Sequence, residues 1–539
     1  MNDRTTLQQL IGPQDSVRLM DAMQRGITRR QMIQMLIAGG MQATLAGSLA
    51  TVAGNAHAQT PRRGGRIRVA GATAAVSDTL DPAKQSNQSD YIRSTLTYNG
   101  LTWLDGSLTP QPALAEEFAT KDAITWVFKL RKGVQFHDGK PLTPADVVFS
   151  IMRHKDPATA SKAKALADQI LEVKATGPGE VTMKLASPNA DLPVVLGTYH
   201  FHIVKDGTVD FNAGIGTGPY KMKEFKPGIR SISVRNDGYW KPGKPYLDEI
   251  EYVGIGDEGA RVNALLSGDL ELVGSVNPRS VQRIKDTAGF GVFETQSGGY
   301  SDLVMRRDAG PGANADFVLG MKYLFDRDQM KRSIALGHAV LANDQPIDPT
   351  NRFYFAGLPQ RPFDPEKAKF HLQKANLGST PVPVVASPAA LYSVEMALVL
   401  QQTAQKIGVN LDVKRMPADG YWANHWMKSP VGFGNINPRP SADTLLTQFF
   451  KSDAAWNESG WKNDKFDQML VAARAETDDG KRKKMYADMQ VMIHEQSGIG
   501  IPLFLATLDG HTSKLKGLSP IPLGNLMGFA FGEHVWLDA

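Results

Sequence analysis

LRKGVQFHDGKPLTPADVVFS, residues 130–150, is the most informative segment of this chain. Trp126, Phe128 and Leu130 alternate with polar neighbours, as do Val134 and Phe136, so two short strands joined at Lys132-Gly133 are expected, as a hairpin. His137-Asp138-Gly139 is a turn cluster. Thr143-Pro-Ala-Asp146 then supplies an N-cap hydroxyl, a proline at the first helical position and an acid at the third, which predicts a helix starting at Pro144. Nothing in the block carries catalytic chemistry, and its spacing reads as a folding requirement.

Working outward, Gly64-Gly-Arg-Ile-Arg-Val-Ala70 reads as a first strand and Asp78-Thr-Leu-Asp-Pro82 as the turn leaving it. Residues 98–103 (YNGLTW) and 111–118 (QPALAEEF) precede the block. After it come 216–220 (GTGPY), 234–240 (VRNDGYW) and 247–253 (LDEIEYV), a run of turns and strands, then a helix and turn over 264–270. Helices are expected at 315–325, from Phe363-Asp-Pro365 onward and at 395–407, with a strand over 409–413.

In this order the segments resemble one large family of extracytoplasmic solute-binding proteins, family 5, the dipeptide, oligopeptide and nickel type that feeds ABC importers. The resemblance covers essentially everything after residue 58. It departs at Met305-Arg-Arg-Asp-Ala-Gly-Pro311, where members carry an asparagine and a proline-containing turn. The resemblance implies an α/β fold of the periplasmic-binding-protein-like type II, peptide-binding-protein-like: two α/β lobes with a hinge, plus an extra small lobe. Its divisions are 59–95, 200–298 and 500–539 for lobe I, 96–199 for the small lobe and 299–499 for lobe II.

The N-terminus reads as an address. Thr28-Arg-Arg-Gln-Met-Ile33 precedes a mildly apolar run over 35–52 and then Ala56-His-Ala58, a small-residue cleavage pattern. This is the form of a twin-arginine signal peptide over 1–58, cut before Gln59. Gln42, Thr44, Ser48 and Thr51 make the run too polar for an anchor, which needs about 20 apolar residues. With no cysteine in 539 residues, disulfides, thiolate chemistry and a lipid anchor are excluded. The expected location is the periplasm of a Gram-negative cell.

Removing 1–58 leaves 481 residues, enough for two or three lobes, and lowers the net charge from +5 to +3, because that segment holds five arginines and three aspartates. The only dense basic run is Lys481-Arg-Lys-Lys484, read as a solvated helix face. A nucleic-acid partner is therefore not expected. No catalytic constellation is found: Gly214-Ile-Gly-Thr-Gly218 lacks the lysine of a phosphate loop, no G-x-S-x-G elbow occurs, and His494-Glu495 lacks a second histidine. His200-Phe-His202 would share a face on a strand, but without a third ligand no metal and no cofactor is assigned.

A ligand site is expected at Tyr421-Trp-Ala-Asn-His-Trp426 and on through 432–443 (GFGNINPRPSAD). Trp422, Trp426 and Phe433 offer stacking surfaces, Asn435 and Asn437 hydrogen bonds, and Arg439 and Asp443 fixed charges. In peptide-binding relatives an aspartate here pairs with the ligand's amino group. The resemblance sets Ser441 at that position, with Asp443 two residues on, so Arg439 points instead to an anionic or zwitterionic solute. Thr73, Asn99 and Tyr300 complete the expected set.

The function implied is the solute-binding component of an ABC importer. It captures a peptide or similar small polar solute between two lobes and delivers it, as a monomer, to a membrane permease and its ATPase, after export by the twin-arginine translocase. The rival readings are a periplasmic metal-assisted hydrolase or oxidoreductase on the same scaffold, and a receptor or chaperone without transport.

Overall fold

One 16-residue strand, Phe290–Met305, links the two halves of a 12-stranded sheet. Its first part pairs antiparallel with Leu503–Thr512, with Phe290 opposite Thr512 and Thr295 opposite Thr507. Its last part pairs antiparallel with Val431–Ile436, with Tyr300 opposite Ile436 and Met305 opposite Val431. A bulge between Thr295 and Gly299 separates the two registers. A Cβ at Gly298 would collide with the Asp348 carboxylate, so the change of register needs glycine there.

The structure is a computed structural model that describes residues 60–378 and 381–538. The expected signal peptide falls outside the described residues. From Arg62 onward the chain is one compact unit. Beyond Leu503–Thr512 the sheet continues through Leu272–Val273, Arg66–Gly71, Glu249–Gly254, Arg230–Arg235 and Tyr220–Lys226. Beyond Val431–Ile436 it continues through Val382–Ala386 and Leu411–Arg415. Arg66–Gly71 and Val382–Ala386 are each paired in parallel on both edges. Both are largely buried, the apolar character expected of parallel strands covered on two faces.

A separate four-stranded sheet runs Ala115–Thr120, Thr125–Leu130, Glu180–Leu185, Ile170–Gly177. Helix Pro144–Met152 lays Val147 and Ile151 on a cluster with Trp126, Phe128, Val181 and Met183. The expected cap forms: the Thr143 N–H and hydroxyl each donate to one Asp146 oxygen at 2.7 Å, and the other oxygen accepts the Asp206 N–H at 2.7 Å. The expected hairpin does not form. Both edges of Thr125–Leu130 are taken by Ala115–Thr120 and Glu180–Leu185, so residues 134–136 make only an isolated bridge, Gln135 to Pro141, while Val134 and Phe136 are buried.

Helix Asp479–Gln496 corrects the reading of the basic run. Lys481, Lys483 and Lys484 are exposed, but Arg482 is buried and ion-paired. Among the described residues no helix is long and apolar enough to cross a membrane.

Candidate functional site

A cavity of about 140 Å³ opens where residues 95–104 and 197–202 face Pro438 and Pro440. Helix Gln88–Thr97, capped by the Asn87 side chain, presents Tyr91, which stacks on Tyr199 with ring centroids 3.7 Å apart. Phe529 packs against both rings at 5.4 and 6.0 Å. Asn99 lines the cavity with its amide held: its oxygen accepts from Trp240 Nε1 at 2.9 Å and Thr217 Oγ1 at 3.3 Å. Deeper lies Glu533, which accepts from the Tyr239 hydroxyl at 2.8 Å and pairs with Lys241 at 2.7 Å and Lys244 at 3.2 Å. Burial opposes its charge, but Lys241, His534 and Lys244 together hold the carboxyl down at about 2.

The facing wall is the segment between Val431–Ile436 and helix Ala442–Phe449. Ser441 caps that helix, accepting from the Thr444 N–H at 3.0 Å. Arg439 is half-buried: Nε donates to Gln448 Oε1 at 2.9 Å, Nη1 donates to the Asn437 carbonyl at 3.1 Å, and the guanidinium lies 5.2 Å from the Phe449 ring centroid. Burial pulls its pKa down, and the titratable groups whose fields reach it are the hydroxyls of Tyr300, Tyr199 and Tyr91. Burial raises the pKa of all three, so at neutral pH none of them carries charge.

A second contact joins the same two regions. Asp191, at the head of helix Leu192–Leu196, is ion-paired with Arg482 at 3.0 Å and Arg352 at 3.3 Å. Next to it the Ala190 N–H donates to the Arg474 carbonyl at 2.8 Å, while Arg474 Nε donates to both oxygens of Asp443 at 3.0 Å. Asp191, Asp443 and Arg482 are all buried. Burial, opposed by Arg474 and reinforced by Asp191, pushes the Asp443 carboxyl up to about 6.

The expected site residues therefore separate. Asn99 lines the crevice, Arg439 lies in the chain between the lining residues Pro438 and Pro440, and Tyr300, buried and edge-on to Phe504, is one of the phenols whose fields reach Arg439. Asn437 is exposed beside them. Phe433 is buried in the core with its carbonyl accepting the Tyr421 hydroxyl at 2.7 Å, Asp443 is consumed by Arg474, and Ser441 by its helix cap. Asn435 is bound to Ser301 Oγ at 3.0 Å and the Leu391 N–H at 3.3 Å. Trp422 and Trp426 pack edge-to-face at 5.7 Å, and Trp426 Nε1 donates to Glu458. Thr73 accepts the Ser89 N–H on its hydroxyl at 3.2 Å.

His200 and His202 sit on and after the 3₁₀ turn Tyr199–Phe201, not on a strand. His200 Nε2 contacts the Gln85 carbonyl at 3.0 Å and His202 Nδ1 the Ser94 hydroxyl at 2.9 Å. Among the described residues no group of three or more His, Cys, Asp or Glu is placed to hold a metal ion. The sequence reading missed Tyr91, Tyr199 and Glu533. Their signal was weak, since single aromatics and acids far apart in the chain converge only in the fold.

A third feature lies in the core beside Gly434. Asp302 faces Glu458 there, and no protein donor reaches either Asp302 oxygen, so the contact between the two carboxyls needs a proton on one of them. Burial first, and Glu458 second, push the Asp302 carboxyl well up.

This fold and crevice define a solute-binding protein. Residues 109–457 match the model of bacterial extracellular solute-binding proteins, family 5 Middle. The chain belongs to this family of extracellular solute-binding proteins. The dipeptide-binding protein of Escherichia coli K12 is 26 % identical over 456 residues, 77 % of this chain and 84 % of that protein. Heme-binding protein A of Haemophilus influenzae is also 26 % identical, over 451 residues, 75 % of this chain and 81 % of that protein. HbpA2 from Haemophilus parasuis shares the fold at a TM-score of 0.78 and 21 % identity, covering 88 % of this chain and 100 % of its own. The first two relatives, of equal identity, are named as binding proteins for unlike ligands.

Proposed function

We propose that the chain is a periplasmic receptor that captures a small polar solute, a peptide or a similar molecule, in the crevice between Asn99 and Tyr199 on one side and Arg439 on the other. Residues 59–95, 200–298 and 500–539 form one lobe, 299–499 the second and 96–199 a small third that carries Asn99, Asp191 and Tyr199, and the second lobe hinges against the other two about the bulge at Gly298-Gly299. The solute leaves unchanged, so no catalytic group takes part. Export by the twin-arginine translocase precedes capture, and the closed monomer docks on a membrane permease driven by its ATPase.

The observation that carries this reading is the crevice with its second closing contact, Asp191 against Arg482 and Arg352. Contacts made only when two lobes meet supply the differential affinity that closing requires. Calorimetry against a panel of peptides, sugars and organic acids, with X-ray scattering of each hit, tests it. Binding accompanied by a smaller radius of gyration supports the reading. A panel that produces neither binding nor compaction, or a solute converted to product, overturns it.

A further inference from the structure

The charges that border the crevice do not balance. Its acids are spoken for from within the chain: Glu533 by Lys241 and Lys244, and Asp443, on the helix that follows Arg439, by Arg474. Arg439 has no such partner. Its nitrogens reach an amide oxygen of Gln448 and two backbone carbonyls of its own turn, Asn437 at 3.1 Å and Pro438 at 3.5 Å, and no carboxylate of the described residues lies within ion-pair distance. The titratable groups whose fields reach it are phenols, Tyr300, Tyr199 and Tyr91. A half-buried cation without an anion loses hydration that neutral acceptors replace only in part. Phe449 under its flat face and Gln448 on Nε fix the fork, so the guanidinium is held in place for a planar anion.

The opposite requirement is absent. A free ammonium group on the solute would need a carboxylate, and the position at the head of the following helix carries Ser441, whose oxygen is engaged by the Thr444 N–H. Trp422 and Trp426 pack on one another and on Glu458, whereas Tyr91 and Tyr199, whose fields reach Arg439, stack on each other.

We propose that the solute is an organic acid whose carboxylate is held by Arg439, and that it carries no free ammonium group. The inference rests on the crevice reading above and narrows it to one ligand class: N-acylated amino acids, N-blocked peptides, hydroxy acids and sugar acids fit, whereas zwitterionic peptides and cationic solutes do not. Arg439 thereby sets specificity and leaves the closing contact at Asp191 untouched.

The test is a thermal-shift and calorimetric screen of solutes in matched sets: an acid, its primary amide and its amino-bearing analogue, for example N-acetyl-alanyl-alanine, its amide and alanyl-alanine. Expected is stabilisation by acids and not by their amides, with Arg439→Gln raising the Kd of the best acid about 30-fold or more and Arg439→Lys by less. Unchanged near-ultraviolet circular dichroism of Arg439→Gln separates lost recognition from lost folding. If amides or amino-bearing solutes bind as well as the acids and compact the protein, the crevice reading stands and the anion inference falls. If no member of any set binds, both fall. An acid whose affinity is indifferent to Arg439→Gln also overturns the inference.

Discussion

Asp191 and Arg439 stand at two places where residues 189–202 come near residues 438–482, and they are treated differently. At Asp191 a buried acid meets Arg482 and Arg352, and Asp443 beside it meets Arg474, so the chain supplies both signs of charge. At Arg439 the chain supplies only the cation, opposite tyrosines. One contact is complete when the regions meet, whereas the other is completed by a molecule from outside. The difference separates what closes the crevice from what selects its contents, and each half can be altered alone.

Removing the Asp191 charge has the largest expected effect. Asp191→Asn leaves Arg482 buried without its anion and should weaken closing by about 2–5 kcal/mol, the usual loss when one member of a buried pair is removed. Solute affinity should fall for every ligand alike, in calorimetry, with compaction lost in scattering. Next in size is Arg439→Gln, whose loss of about 2 kcal/mol, in the range of a binding hot spot, should be confined to anionic solutes.

Asp302→Asn probes a third arrangement, two acids that face each other with no cation of the described residues beside them. Its raised carboxyl favours the protonated form, so the pair's contribution is full below the ordinary carboxylate range and is lost as pH climbs through the raised value. The amide removes that dependence. The variant should melt about 1–3 °C higher than the parent at pH 8 and no higher at pH 4, in calorimetric scans. The smallest effect belongs to Lys484→Ala. Lys484 pairs with Asp488 on the exposed face of Arg482's own helix, at 3.1 Å, and its loss should change stability by under about 0.5 kcal/mol in urea titration.

Local chemistry was legible in the sequence and long-range choice of partner was not. The cap at Thr143 and Asp146, the strand Arg66–Gly71 and the helices Pro365–Lys374 and Ser393–Lys406 follow from residues a few positions apart. The hairpin expected at Lys132-Gly133 fails because alternation marks a strand without naming its neighbours, and Glu180–Leu185 takes the edge. Phe433 read as a stacking surface because it sits among glycines, but Val431–Ile436 is an inner strand of a sheet covered on both faces, so its side chain is buried. Arg482 read as solvated for the same reason: a basic run shows its own charge, and its anion lies nearly three hundred residues away. Arg439 was identifiable at once, as a cation in a glycine- and proline-rich segment, but its lack of a partner is a property of the fold.

A crystal structure of the protein with the solute that co-purifies in its crevice decides whether Arg439 takes its anion from outside the chain. Expected are a carboxylate within hydrogen-bond distance of the Arg439 guanidinium and no ammonium group on the solute, with Asp191 still on Arg482. A neutral or cationic group of the solute at Arg439, or a solute bound elsewhere with Arg439 left to water, would contradict it.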